Sequence, residues 1–222
     1  VLPYLSVCLE SSMSRLTSLF KHNFFVKTIE NGIDISKYSY LKSTVYDCSE
    51  KIITMVAGFR VQKDQETLIR AISILPSNFK LWLVGDGERR KILENLVIEL
   101  KLSERVKFWG ICSDIPQILE QSHIVVLSSH WEGLSLSSIE GMASGRPFIA
   151  SDVDGLREIV SGYGILFPHQ DAEALANEIK SLCENQEKYN KIIIISKMKQ
   201  AKKLSKRRKL LSSKTKQQER II

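Results

Sequence analysis

Cysteine is scarce and scattered in this 222-residue sequence: Cys8, Cys48, Cys112 and Cys183 form no CxxC pair, and no histidine stands at metal-ligand spacing from them. Disulfide frameworks and sequence-local zinc sites therefore find no support, and a reducing, cytoplasmic setting is expected. Long apolar runs are missing too. No purely aliphatic run exceeds four residues, as at Ile192 to Ile195, far below the roughly 20 needed to cross a bilayer. Val1 to Leu9 lacks an initiator methionine and the basic, apolar and small-residue order of a secretory signal, so the expectation is a sequence whose beginning lies upstream.

Broadly distributed basic charge is also lacking. The net charge is +7, but eleven of the 32 basic residues and one of the 25 acidic ones fall between 197 and 222. The rest of the chain holds 21 basic and 24 acidic residues. A mildly acidic body with a basic end is not the wide basic face that a nucleic-acid domain turns to phosphates, so no nucleic-acid partner is expected. The end itself reads as a solvated helix face, or as a segment attracted to the anionic headgroups of a membrane surface.

What is present is a rhythm. With 43% hydrophobic and 26% charged residues, the chain has enough apolar content for one generous globular domain. From Lys51 onward, short apolar runs alternate with amphipathic stretches, the pattern of a parallel sheet covered by helices. Strands are predicted at Ile52 to Phe59, Lys80 to Val84, Arg105 to Trp109, Ile124 to Ser128, Pro147 to Ala150 and Gly164 to Phe167. Helices are predicted at Glu66 to Leu75, Glu88 to Lys101, Ile115 to Gln121, Leu136 to Ser144 and Ala172 to Cys183. The fold class is thus α/β, a Rossmann-like doubly wound parallel sheet. Asn31-Gly32 is a strong turn signal and marks a domain boundary. The expected units are 1–30, a remnant of a preceding domain and its linker; 31–184, the Rossmann-like domain; and 185–222, a basic helical tail.

In such a sheet, ligands bind beyond the carboxyl ends of the strands, where helix N-termini offer free amides to anions. The richest strand-to-helix turn is SSHWEGLSLSSIEGMASGRP, Ser128 to Pro147. Glu132 falls in its loop and Glu140 about two helical turns into the following element. A carboxylate accepts hydrogen bonds from vicinal hydroxyls, as on a ribose or hexose. The same residues admit another reading, in which Ser137-Ser138-Ile139-Glu140 is a capping box and Glu132 a solvated loop acid. His130, alone in this loop, reads as a polar loop residue and not as a base. Gly85-Asp86-Gly87 lacks the spacing of a dinucleotide fingerprint and reads as a structural turn.

Six segments in order carry a resemblance: Asn31 to Asp34, MVAGFRVQKDQETLIRA (55–71), LVGDGERRKILE (83–94), RVKFWG (105–110), WEGLSLSSIEGMASGRPFIASDVDGLREIV (131–160) and GILFPHQDAEALA (164–176). Together they resemble the C-terminal, donor-binding half of GT-B glycosyltransferases of family four, over Glu30 to about Glu184. The resemblance implies a retaining glycosyltransferase that moves a sugar from a nucleotide diphosphate sugar to a saccharide or lipid-linked acceptor, with no metal and no prosthetic group. It implies Glu132 near the sugar, Glu140 on the ribose hydroxyls, and the amides of Gly133, Leu134 and Ser135 near sugar and phosphates. It also implies Lys63 on the diphosphate. The family's arginine position is Gly58 here, a departure, and Arg60 stands two residues on as the candidate replacement. Trp109 falls where family members approach the nucleobase, or is a rim aromatic. Acceptor recognition would belong to an N-terminal domain. The alternative is a non-catalytic nucleotide-sugar-binding or interaction module.

Overall fold

The computed structural model describes residues 33–38, 49–133 and 135–195. The expected N-terminal remnant, the Asn31-Gly32 boundary, Leu134 and the basic stretch 197–222 lie outside the described residues.

Six strands form one parallel sheet: β1 (Lys51–Val56), β2 (Phe79–Val84), β3 (Val106–Gly110), β4 (Ile124–Leu127), β5 (Phe148–Ser151) and β6 (Ile165–Phe167). Six helices connect and cover them: α1 (Gln65–Ile74), α2 (Arg90–Glu99), α3 (Ile115–Gln121), α4 (Leu136–Ala143), α5 (Asp154–Val160) and α6 (Ala172–Glu184). Residues 186–195 are helical as well. Each predicted strand and helix is present, with ends moved by at most three residues. One helix escaped the periodicity: α5 is only seven residues long and opens on Asp154-Gly155, which reads as a turn.

The strand order is β3-β2-β1-β4-β5-β6. The chain winds outward from β1 through β2 to β3, crosses back to β4 beside β1, and winds outward the other way. β1 faces β2 in register over six pairs, but meets β4 over only two, Ile53 with Ile124 and Thr54 with Val125. That reversal between β1 and β4 is the switch point at which an open α/β sheet leaves a crevice outside its carboxyl edge.

The strands are Val, Ile and Leu runs because both faces of the central sheet are covered. Ile53, Met55, Leu81, Leu83, Val125 and Ile149 are buried in the core. On one face α1 presents Leu68, Ile69 and Ile72, spaced for a single helical stripe, and packs against α6. On the other, the α3 carbonyls of Leu119 and Glu120 accept from the buried Arg146 guanidinium at 3.1 and 2.6 Å. A fully buried charge is thus hydrogen-bonded where it lies. Gly85 has the structural role its turn suggested. With φ at 132°, it backs onto β1's exit, and a Cβ would stand 2.9 Å from the Ala57 carbonyl carbon.

Candidate functional site

Two loops meet at the switch point. After β1 the chain continues through Gly58, Phe59 and Arg60 into a 3-10 turn at Val61–Lys63, and Asp64 caps α1. Phe59 is buried while Gly58 and Arg60 are exposed, so side chains still alternate beyond the strand. Gly58 and Arg60 consequently face the same way. A Cβ on Gly58 would lie 3.9 Å from Arg60 Nε, so the guanidinium occupies the space beside the missing side chain. Among the described residues no carboxylate pairs with it.

After β4, Ser128 and Ser129 are buried and tie the second loop to the first. The Ser128 hydroxyl donates to the Asp64 carbonyl at 2.7 Å, the His130 amide to the Gln62 carbonyl at 2.8 Å, and the Gln62 side-chain amide to the Trp131 carbonyl at 2.8 Å. With both loops fixed, Lys63 Nζ forms an ion pair with Glu132 Oε1. The Ser129 hydroxyl donates to the same oxygen at 2.6 Å. The Glu132 side chain is only 4% exposed and that of Lys63 16%. This charge pair, 69 residues apart in sequence, is the centre of the site.

Behind Glu132 stands α5. Gly155 lies so close to the loop that a Cβ would come within 2.7 Å of the Glu132 carbonyl carbon and 3.0 Å of the Gly133 carbonyl oxygen. Around Gly133 itself nothing would crowd a Cβ. Ser135 is the N-cap of α4 and makes no side-chain cap hydrogen bond, which leaves the first amides of α4 without that partner. Leu134 is outside the described residues, so its amide has no described position.

Glu140 is held by a third element. It is the fifth residue of α4 and does not close a capping box, because the helix starts at Leu136 and Ser138 donates instead to the Ser135 carbonyl at 2.7 Å. Its carboxylate accepts the Tyr38 hydroxyl from the 3-10 turn at Ile35–Tyr38. Burial raises its pKa above the ordinary carboxylate range, and the Tyr38 hydrogen bond offsets part of that rise. Burial, and then the neighbouring carboxylate, push the Tyr38 phenol up in turn.

An open pocket of about 330 Å³ runs from His130, Trp131 and Glu132 to Val153, Gly155 and Arg157. Trp131, 58% exposed, forms part of its rim. The Arg157 guanidinium there is held by Asp152 at 2.6 Å and Asp154 at 3.0 Å. The α5 wall had no counterpart in the sequence reading; the available signal was the helical spacing of Leu156, Ile159 and Val160. Trp109 stands apart, edge-on to Trp82 at 4.9 Å with Lys107 Nζ 3.5 Å above its ring. Asp64, His130 and His169 are the one histidine and carboxylate group among the described residues that is close enough to share a metal.

The family model "Glycosyl transferases group 1" matches residues 40–215. The N-acetyl-alpha-D-glucosaminyl L-malate synthase of Bacillus anthracis is 28% identical over 187 residues, covering 80% of this chain and 49% of that protein. The lipopolysaccharide core biosynthesis glycosyltransferase LpsE of Rhizobium meliloti is 32% identical over 133 residues, 59% of this chain and 39% of that protein. Among solved structures, Anabaena Alr3699/HepE in complex with UDP superposes with a TM-score of 0.73 at 25% identity, over 85% of this chain and 57% of that one. The chain spans less than half the length of these curated relatives.

Proposed function

Because this chain belongs to the group 1 glycosyl transferases, we propose that residues 31–184 bind the nucleotide diphosphate sugar of a retaining glycosyltransferase. The sugar would pass to a saccharide or lipid-linked acceptor recognised by another part of the enzyme. The observation that carries this reading is the Lys63 and Glu132 ion pair at the switch point, beside an uncapped helix start. The UDP bound by the similar Anabaena protein supports a nucleoside diphosphate as the leaving group.

Breaking the bond between the anomeric carbon and the diphosphate leaves negative charge on the phosphate oxygens. The chain's residues answer that charge electrostatically. Glu132, itself fixed by the Ser129 hydroxyl, holds Lys63 Nζ in the crevice, where its ammonium meets the departing diphosphate. Arg60 adds a second cation from the position beside Gly58, and the amides at Gly133, Leu134 and Ser135 add dipoles. Glu132, also at the sugar, orients it, and Glu140 receives the ribose hydroxyls. This division of labour asks nothing of a prosthetic group or metal. No helix among the described residues is long and apolar enough to cross a membrane, and contact with an anionic membrane surface is assigned to the basic stretch 197–222.

Calorimetric titration of the chain with UDP- and GDP-sugars tests the proposal. One of them is expected to bind, with Lys63→Ala weakening it about tenfold, the loss of one charge-assisted hydrogen bond. Arg60→Ala is expected to cost about fivefold, since an exposed cation contributes about 1 kcal/mol. No binding by the wild-type chain removes the donor site. Sugar transfer by the chain with no added domain overturns its role as a half.

A further inference from the structure

Three side chains to which the sugar chemistry assigns no part, each from a different loop, converge on one point. Asp64 follows β1, His130 follows β4 and His169 follows β6. His130 Nδ1 lies 2.8 Å from His169 Nε2 and 3.6 Å from Asp64 Oδ2. One ligand atom from each of the three falls within 4.8 Å of the others. We propose that Asp64, His130 and His169 form a binding site for a divalent transition metal, zinc foremost.

Two imidazoles and a carboxylate are a zinc donor set. With metal–ligand bonds of about 2.0–2.1 Å, tetrahedral ligand atoms stand roughly 3.3 Å apart. Two of the three separations, 2.8 and 3.6 Å, bracket that spacing, and the third lies within 4.8 Å. The histidine pair needs to open by about half an ångström, within the reach of side-chain rotation. In the metal-free pair one ring nitrogen donates to the other, and on metal entry that hydrogen moves to the far nitrogen of its ring.

The carboxylate is already oriented. Asp64 Oδ2 accepts the Thr67 hydroxyl at 2.7 Å and Oδ1 accepts the Thr67 amide at 3.3 Å, the outer hydrogen bonds that metal-binding carboxylates use. His130 is fixed through its backbone amide on the Gln62 carbonyl at 2.8 Å. Asp64 is 8% exposed, whereas His169 lies on the surface. The site thus has an anionic floor, an exposed side for entry, and three protein ligands with a fourth position left for water. A metal here fastens the exits of β1, β4 and β6 to one another.

The test uses the full 222-residue chain, stripped with EDTA and dialysed. Calorimetry is expected to find one equivalent of Zn²⁺ bound, and Co²⁺ to give visible d–d absorption at the same stoichiometry, displaced by Zn²⁺. His169→Ala and His130→Ala are each expected to weaken binding at least a hundredfold. Thr67→Val, which touches only the outer shell, is expected to weaken it about 10–100-fold. Replacing Cys8, Cys48, Cys112 and Cys183 with serine is expected to leave the affinity unchanged. Circular dichroism in EDTA checks each fold, and the exposed His169→Ala decides alone if His130→Ala unfolds. Less than half an equivalent bound by the wild type, or wild-type affinity in His169→Ala, overturns the site and leaves a hydrogen-bonded histidine pair.

Discussion

Glutamine in place of Glu140 is expected to raise the melting temperature at pH 7 and, in the same protein, to weaken UDP-sugar binding about 10- to 100-fold. The first effect follows from where the carboxylate is. Burial holds its folded-state pKa above the unfolded one. Below the unfolded value both states carry the proton and ionisation is neutral toward folding. As pH rises, the unfolded chain releases its proton first, so stability falls until pH passes the folded value and then stays lowered. Glutamine removes that cost and still offers an oxygen to the Tyr38 hydroxyl. The gain is therefore expected in thermal scans at neutral pH and should vanish below the ordinary glutamate range.

The second effect follows from what the residue is for. A carboxylate accepts two hydroxyls, while an amide offers one acceptor and a mismatched donor. Hydrogen bonds to a charged group contribute about 1.5–3 kcal/mol, a factor of about 10 to 100. Lowered stability at pH 7 would show that burial does not govern Glu140, and unchanged affinity would remove it from the donor site.

Gly155→Ala is the second large effect expected. The new methyl would meet backbone, 2.7 Å from the Glu132 carbonyl carbon and 3.0 Å from the Gly133 carbonyl oxygen, so no rotamer relieves it. Either α5 or the β4–α4 loop must move. Overpacking of this kind costs about 2–3 kcal/mol, which lowers the melting temperature by roughly 5–10 °C for a domain of this size. Because the displaced segment carries Glu132, and through it Lys63, UDP-sugar affinity should fall by tenfold or more. Gly133→Ala is the matched control, with open space around its Cβ and an unchanged melting temperature expected.

The sheet was legible in the sequence because each buried strand is a short apolar run and most helices carry a full stripe. Helix α3 matches its predicted bounds, Ile115 to Gln121. The short helix α5 was not legible, since two turns opening on Asp154-Gly155 give too little periodicity to outweigh a turn signal. Residues of the site were legible one at a time. Their company was not. Lys63 and Glu132 are 69 residues apart, and only the strand order brings the exits of β1 and β4 together. The same holds for Asp64, His130 and His169. Searches for ligand spacing along a chain look within one loop or helix, whereas these three donors come from three strand exits. For Glu140, the capping-box pattern was misleading because it presumed Ser137 as the cap, and the cap is Ser135, two residues earlier.

Strands β1 to β3 come from residues 51–110 and strands β4 to β6 from residues 124–167, with no interleaving. Each wall of the crevice is consequently written by its own uninterrupted stretch of chain. Residues 111–123 are the natural place to recombine related sequences. A graft there would exchange Glu132 and Glu140 for another protein's acids while keeping Lys63 and Arg60. The seam it must respect pairs β1 with β4 over two residues and includes the packing of α1 on α6 and the loop contacts around Lys63 and Glu132.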